Sequence, residues 1–139
     1  MNRYLLDTCV FAEYSRPRPN TKVFEWIDAQ EQELQFLSVL TVGEMEKGIA
    51  RLPSSKRRQS VAEVLNVIVS RFDHRILQLD VAIARRWGRM VESLELKGRK
   101  LPIIDSLIAA TALEHDLTIV TQNILDFTDT GVTVLNIWD

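Results

Sequence analysis

A chain of 139 residues is the size of one domain, able to bury roughly two-thirds of the surface its unfolded form exposes, and its 46% hydrophobic and 26% charged content is that of an ordinary globular protein. The formal net charge of −2 excludes a protein that coats nucleic acid, so contacts with RNA or DNA have to be local. A single cysteine, Cys9, excludes an intrachain disulfide and a cysteine-built zinc cage, and no apolar run approaches the ~20 residues of a membrane helix.

Residues 3–7, Arg-Tyr-Leu-Leu-Asp, are a short apolar run ending in an acid, which suits a buried parallel strand that stops at Asp7. Asp7 and Glu13 interrupt this first apolar segment, so it does not read as a signal peptide and a cytoplasmic setting is expected. Thr8 to Tyr14 turn away from the strand, and Arg16-Pro-Arg-Pro-Asn20 breaks the pattern. Asn20 or Thr21 then caps a helix to about Ala29, with Val23, Trp26 and Ile27 on its inner face. Leu34 to Ser38 is the second strand, followed by a helix from Leu40 to about Leu52. Thr41-Val-Gly-Glu44 fits a capping box, in which the Glu44 carboxylate reaches back to the N–H of Thr41.

Pro53-Ser-Ser-Lys-Arg-Arg opens a further helix with Val61, Val64, Leu65, Ile68 and Val69 facing inward and Lys56, Arg57 and Arg58 solvated. Ile76 to Leu79 is a third strand, and Asp80 caps a long helix to about Leu96. Ile83, Trp87, Met90 and Leu94 mark its buried face, while Arg85, Arg86 and Arg89 lie on the other. In the basic loop after it, Lys97, Arg99 and Lys100 either steer a polyanion toward nearby acids or satisfy helix C-terminal carbonyls.

Leu101 to His115 is a helix with Pro102 in its first turn. Asp105, Ala109 and Ala112 fall on one line, which sets a carboxylate at the edge of a seam of small residues able to lie close to a sheet; Asp105 there also complements the helix dipole. Leu117 to Thr121 is the fourth strand, Gln122 to Phe127 follow its end, and Val132 to Leu135 make an edge strand. The alternation predicts a single α/β domain over residues 1–139, a three-layer α/β/α sandwich with a mostly parallel sheet of four to five strands.

Sites on such sheets form outside the carboxyl ends of the strands. Asp7 ends the first strand, Glu44 follows the second, Asn123 and Asp126 follow the fourth, and Asp105 lies in the helix leading into it. Carboxylates brought to about 5 Å repel by roughly 3 kcal/mol per pair at an effective dielectric near 20, which is tolerable only with raised pKa values or a bound cation. Oxygen donors alone select Mg²⁺ or Mn²⁺ over zinc.

These residues resemble a known family. Leu5-Leu-Asp7-Thr8, Ser38-x-x-Thr41-x-x-Glu44 with Gly48-Ile49, Asp105-Ser-Leu-Ile-Ala-Ala-Thr-Ala112 and Thr121-x-Asn123-x-x-Asp126-Phe127 look like the four motifs of PIN-domain nucleases. Their order and spacing are similar to those of the toxin subunits of VapC type, and Arg16-Pro-x-Pro-Asn20 looks like the FitB-like branch. The resemblance implies a Mg²⁺- or Mn²⁺-dependent endoribonuclease that forms a homodimer, is held inactive by a small cognate antitoxin, and joins it in a larger complex on operator DNA. It implies Asp7, Glu44 and Asp105 as metal-binding carboxylates. Some members carry an acid where this chain has Asn123, which offers only a neutral oxygen; Asp126 either completes the acidic set or caps a turn.

A metal-activated water would then attack the phosphodiester in line, with Thr8, Thr121 and Asn123 supporting the carboxylates. The RNA should be single-stranded or looped, so that a phosphate can reach the acids. Cys9, where Asn or Ser is frequent in the family, reads as a small filler beside the site and not as a nucleophile.

Three other readings compete. One is a catalytically weak PIN-like module that acts mainly through an antitoxin and DNA-binding partner complex. A phosphatase with Asp7 as nucleophile wants a second Asp two residues on, where this chain has Cys9. A Ser/His hydrolase is poorer still, because neither His74 nor His115 adjoins a nucleophile elbow.

Overall fold

Strands β1 (Tyr4–Leu6), β2 (Gln35–Ser38), β3 (Ile76–Leu77), β4 (Thr118–Val120) and β5 (Val134–Leu135) make one sheet in the order β3-β2-β1-β4-β5. The computed structural model describes residues 2–139, and every strand pairing in it is parallel. Parallel neighbours need crossovers, and six helices supply them: α1 (Thr8–Ala12), α2 (Thr21–Ala29), α3 (Val39–Arg51), α4 (Lys56–Phe72), α5 (Val81–Leu96) and α6 (Ile103–His115). β1 is central, with Tyr4 opposite Gln35 on one side and Thr118 on the other. Among the described residues no helix is long and apolar enough to cross a membrane.

The two faces of the sheet follow from the period of two along each strand. Leu6, Leu37 and Val120 face a layer that contains Val10, Val23, Ile68 and Phe72, from α1, α2 and α4. Leu5 and Ile119 face the other way, onto Ile108, Ala109 and Ala112 of α6. The small residues of α6 are buried nearly all round, because the helix lies between the sheet and α5. Trp87 Nε1 on α5 donates to Ser106 Oγ at 2.8 Å, and Arg86 pairs with Glu114 at 2.6 Å.

Most expected elements are found, with three corrections. Asn20 Oδ1 accepts from Lys22 N, and Asp80 Oδ1 accepts from Ile83 N. α3 begins earlier than expected, at Val39, because Ser38 Oγ accepts from Leu40 N and serves as its cap. Thr41 is thereby inside the helix, and the expected capping box between Thr41 and Glu44 does not form. β3 is also shorter than expected: Gln78 and Leu79 beyond it are exposed. Pro102 stands at the N-cap of α6 and not within its first turn.

Besides Asp7, two charged side chains are buried among the described residues. Arg75 lies over the Phe72 ring, 4.6 Å from its centroid, and its guanidinium donates to the carbonyls of Gln35 at 2.8 Å and Arg71 at 2.9 Å. Glu13, 1% exposed, accepts from the N–H of Asn20 at 2.9 Å and from Trp138 Nε1 at 3.1 Å, with Arg16 3.2 Å away. Burial alone would push the Glu13 carboxyl up, yet those donors and the Arg16 charge hold it below the usual carboxylate range. It ties the end of α1 to the chain's last residues.

Candidate active site

β1 and β4 are neighbours, so the residues that follow them meet at one edge of the sheet. The N–H of Asp7 still belongs to the ladder, donating to Val120 O at 3.0 Å. Its carboxylate, 6% exposed, is fixed at both oxygens. Thr8 N–H donates to Oδ1 at 2.9 Å, and Thr121 Oγ1 donates to Oδ2 at 2.9 Å. Thr121 in turn accepts from the N–H of Asn123 at 3.0 Å. The hydroxyl thus joins Asp7 to the turn of 3₁₀ helix, Ile124–Phe127, that carries Asp126.

The second acid arrives from the other neighbour of β1. β2 leads directly into α3, and the first turns of α3 carry Glu44. Thr8 Oγ1 donates to Glu44 Oε1 at 2.6 Å, so Thr8 holds one carboxylate with its backbone and another with its side chain. Asp105 comes from the first turn of α6 and is half-buried. Asn123 meets the site through its backbone, and its side chain is exposed.

The four acids feel one another. Burial raises the Asp7 carboxyl above its ordinary range against the pull of its two hydrogen bonds, and the charges of Glu44 and Asp126 push in the same direction. Burial likewise raises Asp105, to about 6, with Asp7, Asp126 and Glu44 adding repulsion. Among the described residues none of the four is in an ion pair. Nor, among those residues, do three acidic, histidine or cysteine groups stand within reach of a common ion as they lie. The four acids offer oxygen donors only, the class of ligand that Mg²⁺ and Mn²⁺ take.

Cys9 sits two residues beyond Asp7. It accepts from the N–H of Gln122 at 3.4 Å and lies 3.6 Å from Thr121 Oγ1. Burial pushes its thiol up, the reverse of what an activated nucleophile needs. Of the basic residues after α5, Lys97 is the C-cap of the helix and Arg99 pairs with Asp129 at 3.7 Å; among the described residues neither they nor Lys100 is in an ion pair with the four acids. The Thr8–Glu44 bond had no signal in the sequence, since the partners are 36 residues apart.

The family model of the PIN domain matches residues 4–130. Toxin FitB of Neisseria gonorrhoeae is 36% identical over 135 residues, 96% of this chain and 97% of that one. VapC ribonuclease Y4jK of Sinorhizobium fredii is 31% identical over 140 residues, 97% of each. A solved structure of FitAB bound to a DNA fragment superposes with a TM-score of 0.91 at 34% identity, covering 98% of this chain and 96% of that chain. A sheet that gathers four acids at its carboxyl edge is therefore accompanied by likeness over nearly the whole length, and the chain belongs to the PIN-domain family.

Proposed function

We propose that this chain is a Mg²⁺- or Mn²⁺-dependent endoribonuclease acting as the toxin of a toxin–antitoxin pair. The observation that carries the reading is the mutually repelling set Asp7, Glu44, Asp105 and Asp126 at one sheet edge, with no cationic side chain paired to any of them among the described residues. Charge arranged this way costs stability unless a cation offsets it. Relatives named as a ribonuclease and a toxin support the substrate and the biological role.

In this reading Asp7, Glu44 and Asp105 would turn inward to hold the cation, since no three such groups reach a common ion as they lie among the described residues, and Asp126 would complete the acidic set from the 3₁₀ turn. Such a cation, when bound, screens the carboxylates and supplies Lewis-acid chemistry for hydrolysis of a phosphodiester at neutral pH. Thr121 and Thr8 keep Asp7 and Glu44 from swinging apart. Asp105, whose carboxyl titrates at about 6, holds a proton in the cation-free state more readily than an ordinary aspartate and gives it up when positive charge arrives.

RNA cleavage by the purified chain in Mg²⁺ or Mn²⁺ tests this directly. Cleavage that is abolished by EDTA and by Asp7→Asn is expected; activity surviving both would sink the carboxylate mechanism. We place the protein in the cytoplasm as a homodimer, joined by a small antitoxin and, with it, by operator DNA. An apolar cleft of about 620 Å³ between α2 and α4, lined by Tyr14, Ile27, Val64, Val67 and Phe72, offers the antitoxin a surface. Ile49, by contrast, is buried, and Trp26 packs edge-on against Tyr4 at 4.8 Å. Co-purification with a small neighbouring gene product that suppresses cleavage would support the pairing, and unchanged activity in its presence would end it.

A further inference from the structure

We propose that a second, smaller cleft, between α1, α3 and α4, is a nucleotide subsite that takes the base beside the cleaved phosphate on its floor and a flanking phosphate on Arg57. The inference rests on the ribonuclease reading above. The cleft measures about 260 Å³, below the ~300–1,000 Å³ of pockets that enclose drug-sized ligands. That is room for one ring system and too little for a folded peptide element. Its floor is Met45, Ile49, Val61, Leu65 and Ile68, which can cover the face of a base.

Charge decides what else the occupant carries. Thr8 and Glu44 line the cleft, so it is continuous with the acidic set. Arg57 lines it too, exposed on the first turn of α4 and, among the described residues, in no ion pair. An apolar floor between a guanidinium and a metal-seeking carboxylate matches the alternation of phosphate and base along a single strand. The hydroxyls here are already committed, Thr8 to Glu44 and Ser15 to the carbonyl of Ala12. The subsite therefore discriminates by bulk and not by reading base edges.

Gly48 provides the test. It lines the cleft, and a Cβ built on it meets nothing within 4 Å, so Gly48→Met starts a side chain into the cleft without a clash at its Cβ and suits helix α3 better than glycine. Binding of a labelled single-stranded RNA oligonucleotide to the full chain is read by fluorescence anisotropy in Ca²⁺, with thermal melting as the check on folding. Arg57→Ala is expected to weaken binding about tenfold and to lower the salt slope by about 0.7, while Lys56→Ala stays within about twofold of wild type. Gly48→Met should weaken binding of intact RNA about tenfold with no fall in Tm, yet leave unchanged the binding of a strand made abasic beside the cleavage point.

Equal behaviour of Arg57→Ala and Lys56→Ala, or unimpaired RNA binding by Gly48→Met, overturns the proposal. So does a Gly48→Met chain that binds RNA normally but fails to capture the antitoxin, which would make the cleft a polypeptide site. A wild type that binds RNA with all these dependences and cuts none in Mg²⁺ or Mn²⁺ would leave the subsite standing and remove the ribonuclease reading.

Discussion

Glu13 and Asp7 are both buried acids of the same short segment, and their surroundings treat them oppositely. Glu13 has a backbone N–H, an indole N–H and a guanidinium around it, and its carboxyl is held below the usual range. Asp7 has two hydrogen bonds but faces Glu44 and Asp126, and its carboxyl is raised. Burial penalises both charges; what differs is whether opposite or like charge stands nearby. Glu13 is a fastening whose energetics are closed within the chain, whereas Asp7 belongs to a set of like charges that, among the described residues, no cationic side chain pairs with. Perturbed titration in a cluster is a pointer to function for that reason.

Substitutions should separate the two kinds of acid. The largest effect expected is loss of metal-dependent RNA cleavage in Asp7→Asn, beyond the ~10–100-fold typical of residues that only support a metal ligand. Its Tm in EDTA should not fall below that of wild type, because the change removes charge from a repelling set; cleavage kinetics and calorimetry give the two halves of this prediction. Glu13→Ala should do the reverse. It strands the N–H groups of Asn20 and Trp138 and is expected to cost about 3 kcal/mol in denaturant unfolding. At temperatures where Glu13→Ala remains folded, the cleavage chemistry should persist. A Glu13→Ala chain as stable as wild type would break the contrast.

Smaller effects sharpen it. Thr121→Val removes the donor to Asp7 Oδ2 and the acceptor for Asn123 N–H, and a loss of about 10–100-fold in Mn²⁺ affinity or activity is expected. The smallest is a pH effect. Asp105 is raised from 3.8 to about 6, so the folded state binds its proton more tightly than the unfolded chain does. Without metal, stability should therefore be highest at low pH within that window and decline as pH rises from about 4 through 6. Asp105→Asn should flatten the decline in EDTA, and saturating Mn²⁺ should reverse it. Melting curves between pH 4.5 and 7.5 check both.

Much of this was legible along the chain because it is written in short-range patterns. Asn20 and Asp80 sit before amphipathic runs and cap them as expected, and Asp7 stands where an apolar run stops. Glu44 carries two local signals: Thr41-x-x-Glu44 satisfies a capping pattern, but Ser38 is three residues earlier and takes the cap, which leaves Glu44 to bond with Thr8. What periodicity does not contain is lateral order. Only with β1 between β2 and β4 do Glu44, Asp7 and Asp126 come to the same edge, and strand order is decided by packing of both sheet faces together. Arg57 shows the same gap, since nothing in Lys56-Arg57-Arg58 indicates which of the three cations lines a cleft.

The bond from Thr121 to Asp7 spans 114 residues of sequence, and it closes the pairing of the first strand with the fourth. Contacts of such separation form late, after the entropy of a long loop has been lost. A nascent chain still lacking β4 therefore has Asp7 but not the neighbour that aims it, and partial opening of that seam would disperse the acids while most helices remain intact. In the proposed reading, assembly of the acidic set is in this sense a late product of folding, which would leave an interval in which a restraining partner can be supplied.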